Sequence, residues 1–98
     1  MSVTFAAFDP VTYDILTPVE AQPNFSATNT MRLSEAIGLG QYGDEWGGSC
    51  TVEEMRACLL TWPDGHPDPG LNRRLGELVR LVDEASRLDR PGLLISWG

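Results

Sequence analysis

The sequence predicts a small α+β domain of order ββαααβ, with about three strands in one sheet and the helices packed on one face. Three observations carry that expectation. Val3, Phe5 and Ala7 alternate with Thr4, Ala6 and Phe8, the period-two pattern of a strand. Between Leu71 and Leu88, apolar Leu71, Leu75, Leu78, Val79, Leu81, Val82, Ala85 and Leu88 fill half of a helical wheel. Leu93 to Trp97 is a short apolar run, and a buried strand needs neighbours that only the N-terminal strands supply.

Each element has a local reason. After the first strand, Asp9-Pro10 is a turn signal, because proline lacks the donor that a central strand requires. Thr12 to Thr17 then reads as a second short strand, closing a hairpin, and Pro18 to Pro23 as an extended connection. Ser26 is a natural N-cap for the first helix, with Phe25 ahead of it placed to staple the first turn. Gly38-Leu39 resembles a glycine C-cap with its hydrophobic contact. Gly40 to Ser49 is a glycine-rich loop carrying two aromatics. Thr51-Val52-Glu53-Glu54 is a capping box, so a second helix starts there and ends near Trp62-Pro63. Pro63 to Gly70 holds three prolines and two glycines and cannot be regular. The third helix, Leu71 to Leu88, carries Arg73, Glu77, Arg80, Glu84 and Arg87 on its polar half, an alternating stripe suited to a solvated face. Asp89-Arg90-Pro91-Gly92 ends it.

Composition narrows the functional classes. Ninety-eight residues support one core, hence a single acidic domain over 1–98. Fourteen acids face seven bases, all of them arginine, and the net charge is −7. Phosphate-backbone binding and anionic membrane surfaces need clustered positive charge, so neither nucleic acid nor membrane is an expected partner. The partner expected is another protein, with a basic patch that this surface complements. No run approaches the roughly 20 apolar residues of a membrane span, and Met1 to Phe8 lack the basic and apolar regions of a signal peptide, which makes the expected location cytoplasmic.

Few residues invite chemistry. Cys50 precedes a helix N-terminus, where a thiolate is stabilised, but the only histidine, His66, must fold back to serve it and nearby acids oppose ionisation. Cys58 reads as a small buried apolar residue. The two cysteines are expected to be free thiols, because most of a helix separates them. Asp64, His66 and Asp68 alternate in the proline-rich loop, where the aspartates serve turns as readily as a metal. Gly38, Gly40, Gly43, Gly47 and Gly48 match no phosphate-binding fingerprint, and Asp44-Glu45 would repel phosphate. No catalytic residue, cofactor or metal is therefore expected. The candidate binding residues are Tyr42, Asp44, Glu45 and Trp46: aromatic anchors with acids between them, Trp46 being either a partner anchor or a lid over the core.

Asn24-Phe25-Ser26-Ala27-Thr28-Asn29, followed by Leu33 and Ile37-Gly38-Leu39, resembles the helix entry of a loose group of small uncharacterised bacterial and phage proteins, some of which also close on an apolar strand ending in Trp-Gly, as at Leu93 to Gly98. The resemblance covers about half the chain and brings no catalytic signature. It implies a phage or mobile-element accessory protein. Two functional classes follow: a non-enzymatic protein-binding module that inhibits a host defence factor or neutralises a toxin, or a small-molecule binder or small hydrolase using Cys50 and His66.

Overall fold

The apolar C-terminal run becomes the middle of the molecule. In a computed structural model describing residues 2–98, β5 (Leu94–Trp97) is the central strand of a five-stranded antiparallel sheet. The others are β1 (Ser2–Phe8), β2 (Asn24–Ser26), β3 (Gly43–Asp44) and β4 (Gly47–Thr51), in the order β2-β1-β5-β4-β3. Register decides which side chains meet. Phe5 lies opposite Trp97 and Ala7 opposite Ile95, while on the other flank Gly48 lies opposite Trp97 and Cys50 opposite Ile95. Alternation puts Val3, Phe5, Ala7, Cys50, Ile95 and Trp97 on one side, and all six are buried. The Phe5 ring stacks on Trp97 at 5.4 Å and tilts against Phe25 at 5.8 Å.

Three helices cover that side: α1 (Ala27–Ile37), α2 (Val52–Leu59) and α3 (Pro69–Arg87). The α3 helix packs against both of the others and against β1. Each is capped as its sequence demands. The Ser26 hydroxyl accepts the Asn29 N–H at 3.1 Å, and α1 ends on Gly38 at φ 75°, a conformation that favours glycine. The Thr51 hydroxyl accepts the Glu54 N–H at 3.0 Å while the Glu54 carboxylate accepts the Thr51 N–H at 2.8 Å, completing the capping box of α2. Asp68 caps α3 by accepting the Leu71 N–H at 3.0 Å, with Pro69 in the first turn, so this helix begins two residues before Leu71. Leu71, Leu75, Leu78, Leu81, Val82 and Ala85 are buried, whereas Val79 and Leu88 lie at the margin of the stripe and are exposed.

The α+β class holds, but the sheet differs from the expected one in two places. Thr12–Thr17 does not form a regular strand. Asp9 accepts the backbone N–H groups of Val11 and Thr12, tightening the turn, and Tyr13 adopts φ 64°. A single bridge, Phe8 to Ile15, the Leu16 N–H to Ala7 carbonyl bond and the Ala7 N–H to Thr17 hydroxyl bond tie the segment to β1. Nine steps from Ile15 to Asn24 stand opposite four from Phe8 to Thr4, so five residues bulge out before β2 pairs properly. Phe25, expected as a helix staple, is instead the middle residue of β2, opposite Val3. The second difference is the glycine-rich loop. It folds as the β3–β4 hairpin and supplies the far half of the sheet.

Candidate functional site

Asp44-Glu45-Trp46-Gly47 has aspartate first and glycine last, the preference of a type I turn. The Asp44 carboxylate accepts the N–H groups of Trp46 at 2.8 Å and Gly47 at 3.1 Å, and neither Glu45 nor Trp46 has a positive φ. Two glycines let the hairpin close on its support. A Cβ on Gly43 would collide with the Gly47 carbonyl, and one on Gly48 would lie 2.5 Å from the Trp97 ring. The Trp97 indole N–H donates to the Asp44 carbonyl at 2.9 Å, fastening the hairpin to the central strand.

This frame sorts the four expected binding residues. Trp46, at the apex, is 53% exposed, so it is not a core lid. Glu45 beside it is half-buried, and Asp44 is exposed, although one of its oxygens is occupied by the turn. Tyr42 does not join them as an exposed anchor. It packs against the core, and burial, reinforced by the Glu54 carboxylate, pushes its phenol upward. The structure therefore presents one aromatic at this tip instead of two.

Candidate chemical groups lie apart from the tip. Cys50 and Cys58 are buried free thiols. Burial, with smaller contributions from Cys58 and Glu54, raises the Cys50 thiol to about 12, which opposes the thiolate that nucleophilic chemistry needs. Burial likewise raises Cys58. His66 meets the Trp62 ring edge-on at 4.3 Å, and its Nδ1 accepts the Asp68 N–H at 2.9 Å. Asp68 is held low chiefly by the Leu71 N–H, in its role as helix cap. Among the described residues no group of three or more His, Cys, Asp and Glu is placed to hold a metal ion. A cleft of about 450 Å³ lies between the start of α2 and the end of α3, and its arginines are already engaged: Arg56 with Ser86, Arg90 with Asp9 at 3.3 Å.

The surface that sequence reasoning missed is the back of the sheet. All three helices lie on the other side, and of the strand side chains on this one only Ala6 is buried, the others being half-buried or exposed. Ser96, on the central strand, is only half-buried, and Ser49 beside it is exposed. Register places Ile15, Phe8, Leu94 and Thr51 in one row across this face and Ala6, Ser96 and Ser49 in the next. The Tyr13 ring, 79% exposed, leans on Phe8 at 6.3 Å between centroids. The signal was present in the even-numbered residues of β1, but an alternating strand does not say whether its second face meets solvent or protein. No helix of the described residues is long and apolar enough to cross a membrane. Compared with known proteins, the chain matches no family model, no curated sequence and no solved structure.

Proposed function

We propose that the chain is a non-enzymatic protein-binding module that engages a basic patch on its partner through the β3–β4 hairpin tip. The observation that carries this reading is Trp46: a large aromatic held out on a two-residue turn whose backbone is already braced by Asp44 and Trp97. A preformed turn reduces the ordering cost of binding, and a projecting tryptophan is the residue type most enriched among interface hot spots. Glu45 and Asp44 beside it, on a chain of net charge −7, favour a basic counterpart and fast, salt-sensitive association. Small size, acidity and the resemblance in the α1 entry support an accessory role in phage or mobile elements, as an inhibitor of a host defence factor or a toxin-neutralising partner acting in the cytoplasm. The hydrolase reading is disfavoured by the raised Cys50 thiol and by the engagement of His66 with Trp62 and Asp68.

The test is crosslinking in a lysate of the source cell with a photoreactive group at Glu45, followed by affinity measurement with the captured protein. Trp46→Ala should weaken that complex by about thirtyfold or more, corresponding to ~2 kcal/mol, without changing the melting temperature. Unchanged affinity for Trp46→Ala would remove the tip from the interface.

A further inference from the structure

We propose that the cleft between the start of α2 and the end of α3 binds a free basic amino acid, lysine or arginine. Charge selects the ligand. Among the described residues the only ion pair is Arg90 with Asp9, at 3.3 Å, so Arg90 brings its own counter-ion to the cleft. Three other charged side chains line it, Glu53 and Arg56 from α2 and Asp89 from the turn after α3, and none of them has an oppositely charged partner. The lining thus offers one uncompensated cation and two uncompensated anions. A ligand matching them one for one carries one carboxylate and two cationic groups, which is the charge set of a basic amino acid at neutral pH.

Each match has a local reason. Arg56 is positioned without being neutralised: its guanidinium donates to the Ser86 hydroxyl, which in turn donates to the Val82 carbonyl at 2.8 Å. A guanidinium has several N–H donors, so Ser86 leaves enough of the fork to take a carboxylate. Glu53 stands one helical turn before Arg56, and residues at that spacing share a face. The carboxylate and α-ammonium of an amino acid sit on one carbon and need such neighbours. Asp89 belongs to the α3 side of the cleft, where a side chain extended from that carbon brings its second cation. Val52, Ala85 and Leu93, all buried, form an apolar floor for the methylenes between. The volume of about 450 Å³ lies within the ~300–1,000 Å³ of small-ligand sites. A neutral amino acid leaves Asp89 unmatched, and phosphate meets two carboxylates for one uncompensated guanidinium.

Titration of the isotope-labelled protein with L-lysine at low salt, followed by NMR amide shifts and calorimetry, tests the proposal. Binding should saturate with a dissociation constant on the order of a millimolar or tighter, the range that about ten non-hydrogen atoms supply in an open cleft. The shifts should centre on Val52, Glu53, Ser86, Asp89 and Gly92, and added salt should weaken them. Three probes each remove one charge: norleucine lacks the side-chain cation, cadaverine the carboxylate, and Nα-acetyl-lysine the α-ammonium. Each should bind about fivefold or more weakly than lysine. Arg56→Gln and Asp89→Asn, both at exposed positions, should weaken lysine by a similar factor with circular dichroism unchanged. Asp89→Asn should leave norleucine as it was, because the lost partner is the side-chain cation. Where a variant does not fold, the probe series on the wild type decides. Trp46→Ala should not alter lysine binding, which separates this site from the hairpin reading. No saturable shift up to about 20 mM L-lysine overturns the proposal, as do shifts centred elsewhere. Cadaverine or norleucine binding as tightly as lysine also overturns it, since either marks unselective attraction to acidic or apolar surface.

Discussion

Gly48 and Gly47 are neighbours of the same type, and the structure assigns opposite signs to their replacement by alanine. Neither has a positive φ, so the backbone at both positions accepts an ordinary residue, and the difference is steric. A Cβ on Gly48 would lie 2.5 and 2.8 Å from two atoms of the Trp97 ring and 2.7 Å from the Tyr42 carbonyl oxygen. The ring cannot yield freely: it stacks on Phe5, donates to the Asp44 carbonyl and is 5% exposed. Overpacking of this kind costs about 1–3 kcal/mol, and displacing the indole from Asp44 adds on the order of 1 kcal/mol. The entropy that alanine removes from the unfolded chain returns only ~0.4–1 kcal/mol. Gly48→Ala should therefore lose about 2–3 kcal/mol, a fall in melting temperature of roughly 10–20 °C for a domain of this size. A Cβ on Gly47 meets only the Trp97 carbonyl oxygen, at an ordinary 3.5 Å. Gly47→Ala should be neutral or stabilising by up to ~1 kcal/mol. Urea titration of both variants, checked by calorimetry, is the assay. In a Trp97→Leu background the penalty at Gly48 should shrink by at least ~1 kcal/mol, the remainder reporting on Tyr42. Equal effects at the two glycines, or a loss below about 0.5 kcal/mol at Gly48, would refute the account of how the hairpin is seated.

Leu78, on the buried side of α3 and fully inaccessible, should cost about 2–5 kcal/mol on replacement by alanine, read as a lower urea midpoint at unchanged slope. The buried Cys50 thiol predicts a pH dependence. Its folded value of about 12 lies above the ordinary 9.0, so the folded state holds the proton more firmly and the associated stability is complete below pH ~9 and declines as pH rises towards ~12. Cys50→Ala should flatten that alkaline limb in urea titrations between about pH 8 and 11; an unaltered slope would mean that the thiol ionises as readily folded as unfolded.

Much of the fold is legible locally because caps and periodicity act over a few residues. The Ser26 cap, the Gly38 terminator, the Thr51–Glu54 box and the α3 stripe all depend on groups within one or two helical turns, and each appears where its residues stand. The α+β class, the first strand and the buried last strand follow from the same short-range patterns together with the need to bury apolar faces. Strand pairing is different. Thr12–Thr17 has strand-like composition but turns away because Asp9, only a few residues off, captures the Val11 and Thr12 amides; Gly47-Gly48-Ser49-Cys50-Thr51, poor in strand formers, pairs because Trp97 needs a neighbour without a side chain. A partner fifty residues away decides both the strand and the hairpin. The same holds for the candidate surfaces. Sequence pointed to the tip and to Trp46, but tertiary packing withdrew Tyr42 into the core and buried Cys50 beyond easy ionisation. By itself the sequence determined the three helices, the ends marked by Ser26, Gly38 and Thr51, and the acidic balance, while α2 stops at Leu59, short of Trp62-Pro63, and α3 starts at Pro69. Which residues share a face, and which face of the sheet is left without a helix, was decided by long-range register, because an alternating strand encodes two faces and only the folded chain chooses which of them the helices cover.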